Sequence, residues 1–246
     1  MPDRFVLEIC VESVEYAIAA EGGGAHRVEL CSDLAIGGIT PSAGLMKIAR
    51  KSVRLPIFVL IRPRPGDFVY SRREFETMGE DIRAAKQLGM DGIVLGLLTA
   101  KGEVDVARTS KLVRLAHPLP VTFHHAFDDS PDLQRSLRAV LKTGVKRILT
   151  SGGKPRAAGN LSAVAQLVAQ ARGRISIMPG GGINARNVTR ISRQTLAREI
   201  HTSLGTSLQS SSGRARAGMN GGRDSLKSFE RRVRELVNLL AAKGPE

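Results

Sequence analysis

The sequence has no tryptophan, and aromatic residues make up only 4% of its 246 positions. It also lacks a run of about eighteen apolar residues, which a helix needs to cross a membrane. Its first residues, MPDRFVLEICVES, do not show the basic start and apolar middle of a signal peptide. We therefore expect a cytoplasmic protein that has no membrane partner.

The chain contains only two cysteines, Cys10 and Cys31. Two cysteines are too few for a disulfide scaffold. In a reducing compartment we expect them to be thiols, unless they lie close together or bind a metal.

The formal net charge is +14, from 37 lysines and arginines against 23 acidic residues. The basic residues are interleaved with acids along the chain and do not form one block with aromatic stacking residues. This pattern disfavours nucleic acid as the main partner. A small anionic ligand, or solubility alone, accounts for the charge equally well.

Short apolar runs alternate with amphipathic stretches along most of the chain, which predicts a parallel sheet with crossover helices. Eight such runs in a chain of this length predict a single-domain α/β fold, the (β/α)₈ TIM barrel. The predicted strands are RFVLEIC, RVELC, PIFVLIRPR, DGIVLGLL, LPVTFHHAF, KRILTSG, RISIMPGGG and REIHTS.

The segments between these runs carry helix start and stop signals, such as the serine and the glycines that flank the helix in SVEYAIAAEGGGA. We expect residues 1–207 to form the barrel core. Residues 208–224 are rich in glycine and serine, so we expect a flexible segment there. We expect residues 225–246 to form a helix that closes the barrel.

Strand parity separates residues that face the barrel axis from those that face the helices. On this basis Glu8 and Cys10 of the first strand share an inward face, as do Glu29 and Cys31 of the second. Thiolates select Cu(I) or Zn²⁺, so the two cysteines are candidate metal ligands. Buried thiols with a purely structural role explain them equally well.

Two arginines, Arg62 and Arg64, share a face at the end of the third strand, and Asp67 follows a Pro-Gly turn. Active-site residues of TIM barrels lie at this end of the strands. Because a buried guanidinium needs a partner, we expect the arginines to meet Glu8, Glu29, Asp67 or an anionic ligand.

The seventh strand ends in the glycine turn Gly180, Gly181 and Gly182. Its backbone N–H groups are candidates to bind a phosphate or carboxylate, with Ser151 of strand six beside them. A plain turn is the alternative explanation. On strand eight, His201 shares a face with Ser203.

The fifth strand runs into the sequence FHHAFDD. Parity sends His124 and Asp128 to the barrel mouth and His125 toward the helices. His124 is therefore the candidate acid–base residue or ligand, with Asp128 able to orient it. A histidine satisfied by a backbone carbonyl is the alternative.

Six stretches together resemble the CutC family, whose proteins are named for copper homeostasis, and the resemblance covers most of residues 5–203. These stretches are LEICVESVEYAIAAEGGGAHRVELCSDLAIGGITPSAG, IRPRPGDFVYS, VTFHHAFD, RILTSGG, MPGGGINARNV and EIHTS. One residue departs from the family pattern, because the family typically reads TFHRAFD and this chain has His125 in place of the arginine.

The resemblance implies a TIM barrel, a cytoplasmic location, self-association as a homodimer or higher homo-oligomer, and a role in copper binding. It implies Cys10 and Cys31 as the copper positions. It also implies a strand-end cluster that comprises Glu29, Arg62, Arg64, Asp67, His124, Asp128 and His201.

Three functions are open at this point. The first is copper homeostasis through Cu(I) held by the two cysteines. The second is an isomerase, lyase or hydrolase that acts on a small anionic or phosphorylated metabolite at the barrel mouth. The third is a basic module that binds nucleic acid through its C-terminal helix.

Overall fold

The computed structural model describes residues 5–204 and 219–242. Within these residues, parallel strands alternate with helices. The strands are β1 (Val6–Val11), β2 (Arg27–Leu30), β3 (Ile57–Leu60), β4 (Gly92–Leu95), β5 (Val121–Phe123), β6 (Arg147–Thr150), β7 (Ser176–Pro179) and β8 (Glu199–Thr202). The helices are α1 (Val14–Gly22), α2 (Ala43–Ser52), α3 (Arg72–Gln87), α4 (Val106–Ala116), α5 (Leu133–Val140), α6 (Leu161–Ala171), α7 (Val188–Thr195) and α8 (Met219–Ala241).

The strands form one parallel sheet in the order β7-β6-β5-β4-β3-β2-β1-β8, which curls into a nearly closed barrel. All eight predicted strands are present, so the predicted (β/α)₈ TIM barrel is confirmed. The register places Cys10 beside Glu29 and Glu8 beside His201. These pairings bring polar residues of three neighbouring strands together inside the barrel.

The main apolar core lies between the sheet and the helices. Leu7, Ile9 and Val11 of β1 belong to it, together with Val28 and Leu30 of β2. The alternating residues of both strands face the barrel axis instead, as parity predicts. A helix-covered parallel strand must bury both of its faces, so its inward residues are buried even where they are charged.

A buried ion network fills part of the barrel interior. Arg27 donates hydrogen bonds to Glu8 and Glu199, and Arg147 also donates to Glu199. The Phe58 ring lies under both guanidinium groups, at 4.8 Å from Arg27 and 5.3 Å from Arg147. Each charge of this network therefore has an opposite charge beside it, which offsets the cost of its burial.

The helices begin where the sequence offers a capping side chain. Ser13 accepts a hydrogen bond from the Tyr16 N–H at the start of α1, and Ser71 and Glu74 form a capping box at the start of α3. Such caps satisfy backbone N–H groups that have no partner inside the helix.

Helix α8 packs against α1 and α7 on the outside of the barrel, with Phe229, Val233, Leu236 and Leu240 in the main core. Of the segment 208–224 that we predicted to be flexible, residues up to 218 lie outside the described residues. Helix α8 begins at Met219.

None of the helices in residues 5–204 and 219–242 combines the length and the apolar character that a membrane span needs.

Contact between α1 and α8 depends on Gly23, where an added Cβ would lie 2.6 Å from Val233 Cβ and 2.8 Å from the Glu230 carbonyl oxygen. We expect Gly23→Ala to displace α8 and lower the free energy of unfolding by about 1–3 kcal/mol. Urea denaturation measures this change. Gly44→Ala is the control, because its nearest neighbour is 3.7 Å away; equal stability of both variants would contradict the prediction.

The Glu8 carboxyl is fully buried, and burial alone would raise its pKa. The Arg27 charge and the bond with His201 outweigh burial and lower the pKa from 4.5 to about 2. The stabilisation is therefore present above pH 4.5 and is lost as the pH falls toward 2. We expect Glu8→Gln to cost about 3–5 kcal/mol at neutral pH, because Arg27 loses a buried partner.

Urea denaturation between pH 2 and 7 tests this expectation, and the pH dependence of unfolding below 4.5 should be weaker in Glu8→Gln. The matched control is Glu76→Gln, which removes an exposed pair with Arg72. If Glu8→Gln kept the wild-type acid slope, Glu8 would not be the group that titrates.

Candidate functional site

A cavity of about 210 Å³ opens at the carboxyl ends of the strands. Seven of the predicted site residues line it, namely Cys10, Glu29, Arg62, His124, Gly181, Gly182 and His201. The structure thus brings residues from six different strands or strand ends into one small space. Six other predicted residues do not line it: Cys31, Arg64, Asp67, Asp128, Ser151 and Gly180.

A thiol, a carboxyl and an imidazole meet at one side of this cavity. The ligand atoms of Cys10, Glu29 and His201 all lie within 4.8 Å of one another, close enough for one metal ion to contact all three. The Cys10 thiol donates to Glu29 Oε1 at 3.4 Å and lies 3.6 Å from the Cys31 sulfur. Cys31 is fully buried behind Cys10 and donates to the Val11 carbonyl at 3.7 Å.

Glu8 holds the imidazole of His201 in place, with 2.8 Å between His201 Nδ1 and Glu8 Oε1. Because Nδ1 faces the carboxylate, the Nε2 atom of the same ring is left for the cavity. A carboxylate behind a histidine in this way is a common support for metal ligands.

Burial and neighbouring charges shift the pKa values of this cluster. The bond with Cys31 and burial raise the Cys10 pKa well above 9, so the group is a thiol in the metal-free protein. Burial also raises the pKa of Glu29. For His201, burial would lower the pKa, but the Glu8 bond and the Glu29 charge outweigh it and raise the pKa.

Arg62 is 6% exposed, and backbone carbonyls surround it. Its guanidinium donates to the carbonyl oxygens of Ile36, Gly38 and Gly66, and its Nε has no partner among the described residues. No carboxylate pairs with it within the described part of the chain, so of the expected partners, an acid of the protein or an anionic ligand, only the anionic ligand is left for Arg62. Its positive charge therefore remains available to a ligand in the cavity.

Arg64 and Asp67 lie together outside the cavity. Arg64 Nη2 donates to Asp67 Oδ1 at 2.9 Å, and Arg64 Nε donates to Glu74 at 2.6 Å. The Asp67 side chain is 70% exposed. The two arginines do not act on the same space, because Arg62 lines the cavity whereas Arg64 is held by Asp67 and Glu74 outside it.

The His124 ring lies in the cavity wall and is 5% exposed. Its Nδ1 accepts a hydrogen bond from the Ala126 N–H at 3.1 Å, and its Nε2 has no partner among the described residues. Burial and the Arg62 charge lower the His124 pKa to about 3, so the ring is neutral at physiological pH.

The predicted pairing of Asp128 with His124 is wrong, because Asp128 Oδ2 contacts His125 Nδ1 at 2.7 Å. The prediction that His125 points toward the helices is also wrong, since His125 lines the cavity. Strand β5 ends at Phe123, and residues His125–Phe127 form a 3₁₀ helix. The strand parity on which both predictions rested therefore ends before His125.

The glycine turn after β7 forms one edge of the cavity. Gly181 and Gly182 line it with φ angles of 95° and 69°, values that favour glycine. Gly180 donates its N–H to the Thr150 carbonyl, and the Ser151 N–H donates to Asp128. Gly180 and Ser151 therefore stabilise the cavity wall through backbone hydrogen bonds and do not line the cavity themselves.

Sequence reasoning missed Phe68 and the role of His125. The Phe68 ring lies between Arg62, at 5.0 Å, and the His124 ring, at 4.9 Å. An aromatic residue soon after a strand-end arginine was the available signal for Phe68, because guanidinium groups stack on aromatic rings. For His125, its exchange for the family's arginine was the available signal.

Comparison with known proteins identifies relatives of the whole barrel. The model of the CutC family matches residues 5–206. The copper homeostasis protein cutC homolog of Mus musculus is 50% identical over 206 residues, which cover 84% of this chain and 76% of the mouse protein. A family protein CutC of Chromobacterium violaceum is 42% identical and covers 92% of both chains.

A solved structure of a CutC protein also matches the fold. The crystal structure of a CutC protein from Streptococcus agalactiae superimposes with a TM-score of 0.78 at 35% identity, covering 81% of this chain and 98% of that one. The family match includes every residue that lines the cavity. The chain belongs to the CutC family.

Proposed function

We propose that this protein binds Cu(I) in copper homeostasis, with Cys10 as the central ligand. The observation that carries the proposal is the position of the Cys10 sulfur, 3.6 Å from the Cys31 sulfur and within 4.8 Å of ligand atoms of Glu29 and His201. Soft thiolates select Cu(I), and imidazole also suits copper. The mouse relative's name, a copper homeostasis protein, supports the same function.

The four groups contribute differently to such a site. Cys10 and His201 offer ligand atoms that suit copper, and Cys31 adds a second thiol behind Cys10. Glu29 is a harder oxygen ligand and accepts the Cys10 thiol hydrogen in the metal-free protein. Glu8 orients His201 from behind.

A cytoplasmic location and self-association belong to the same proposal. The resemblance to the family supports both, and the reducing cytoplasm would keep Cys10 and Cys31 as the thiols that Cu(I) binding requires.

A second function is supported by a different observation, the uncompensated charge of Arg62 in the cavity wall. A buried guanidinium without a carboxylate partner favours an anionic ligand. The Gly181 and Gly182 N–H groups have no acceptor among the described residues and line the same cavity. We propose as the second candidate an enzyme that acts on a small anionic or phosphorylated metabolite.

The Cu(I) proposal predicts that Cys10→Ser weakens copper binding at least about tenfold, because a hydroxyl is a poor ligand for a soft ion. Anaerobic titration of Cu(I) against a chromophoric chelator of known affinity measures this loss. Cys31→Ser should have a smaller effect, because Cys31 lies behind Cys10. Unchanged affinity in the Cys10→Ser, Cys31→Ser double variant would exclude the site.

The anion proposal predicts that inorganic phosphate raises the thermal midpoint of the wild-type protein through mass action. The increment should vanish in Arg62→Met and persist in Arg64→Met, because Arg64 lies outside the cavity. The comparison uses the phosphate-dependent increment, since Arg62→Met also loses hydrogen bonds that stabilise the fold. Equal increments in both variants would place the anion elsewhere.

A further inference from the structure

The neighbours His124 and His125 differ in how their rings are held. We infer that the two histidines act together to move a proton on a small anionic carbonyl compound. His125 takes a proton from the carbon next to the carbonyl group, and His124 donates a hydrogen bond to the carbonyl oxygen. This inference rests on the second proposed function and names its substrate class.

Asp128 fixes the tautomer of His125. Asp128 is largely buried and accepts hydrogen bonds from Thr150 Oγ1, the Ser151 N–H and the Gly153 N–H. Burial would raise its pKa, but the bond with His125 and those with Thr150 and the Ser151 N–H lower it, so it remains a carboxylate. A carboxylate at 2.7 Å from Nδ1 keeps the proton on that atom and leaves a lone pair on Nε2.

The Nε2 atom of His125 lies at the cavity edge beside Gly180. A Cβ added to Gly180 would lie 3.5 Å from this atom and 3.3 Å from His201 Cδ2. His125 Nε2 has no hydrogen-bond partner within the described residues, and the His125 side chain is 41% exposed. His125 Nε2, the atom that would accept the proton, is therefore accessible to a molecule in the cavity.

His124 has the opposite tautomer. Because its Nδ1 accepts the Ala126 N–H, the proton of the neutral ring lies on Nε2. That N–H is buried and has no acceptor among the described residues. A buried donor without a partner costs about 1–3 kcal/mol, so its presence in the cavity wall favours a ligand oxygen as its acceptor.

These positions give a balanced reaction step. The C–H bond next to the carbonyl breaks, its electron pair forms the C=C bond of an enolate, and the proton moves to His125 Nε2. Negative charge develops on the oxygen that accepts the His124 N–H, while Asp128 stabilises the imidazolium. Arg62 binds the anionic group of the substrate. Where the deprotonated carbon carries a hydroxyl group, that hydroxyl proton moves to the oxyanion, and His125 returns the first proton to the former carbonyl carbon, so that carbonyl and hydroxyl exchange places and the isomerisation is complete.

The first test is the tautomer of each ring, which ¹⁵N NMR of histidine-labelled protein reports directly at neutral pH. The chain has only five histidines, so single His→Gln variants assign the signals. We expect His125 to be protonated at Nδ1 and His124 at Nε2. A neutral His125 ring with its proton on Nε2 could not accept a proton there and would overturn the inference.

The second test compares inorganic phosphate with 2-phosphoglycolate, whose planar carboxylate resembles an enolate beside a phosphate. Calorimetry of the wild-type protein should show at least about tenfold tighter binding of 2-phosphoglycolate, because the carboxylate accepts the His124 N–H and, once His125 takes up a proton on binding, the His125 Nε2–H. His125→Gln should lose this preference while it still binds phosphate. His117→Gln, at an exposed position outside the cavity, should keep it.

The outcomes separate the two proposals. A preference that survives in His125→Gln, or equal binding of both probes to the wild-type protein, overturns the role of His125 and leaves the anion site intact. If neither probe binds, the second proposed function fails, and the inference fails with it.

Discussion

The ion network around Glu8 is the interaction on which the rest of the site depends. Glu8 Oε2 accepts a hydrogen bond from Arg27, and Glu8 Oε1 is hydrogen-bonded to His201 Nδ1. Without that charge, Arg27 would keep Glu199 as its one carboxylate partner among the described residues, and His201 would lose the contact that fixes its ring. The same group therefore stabilises the barrel interior and orients a candidate metal ligand, which joins the stability of the fold to the geometry of the site.

Space inside the barrel is a second constraint, and glycine provides it. A Cβ at Gly92 would lie 2.5 Å from the Phe58 ring, and a Cβ at Gly96 would lie 2.5 Å from the His124 ring. Gly92 of β4 and Gly96 just after β4 therefore leave space inside the barrel, and the Phe58 and His124 rings occupy it. Phe58 can lie under the buried arginines, and His124 can line the cavity, only because these positions lack side chains.

The sequence predicts the barrel and its inward strand faces well, because hydrophobic periodicity and strand parity depend on local backbone geometry. Glu8, Cys10 and Glu29 lie inside as parity requires. The same rule fails for His125, since β5 ends at Phe123 and the backbone turns into a 3₁₀ helix. The hydrogen-bond partners of Arg62 could not be predicted either, because they are carbonyl oxygens of loops, which every residue type supplies.

The two proposed ligands are electrostatically compatible in one cavity. A Cu(I) ion that displaces the proton of Cys10 adds one positive and one negative charge, so the net charge beside Arg62 does not change. Arg62 can then still attract an anion. If Cys31 also lost its proton, the metal site would carry one net negative charge and would compete with the anion for Arg62. The number of thiolates on the metal therefore determines whether copper and an anionic ligand bind independently or in competition.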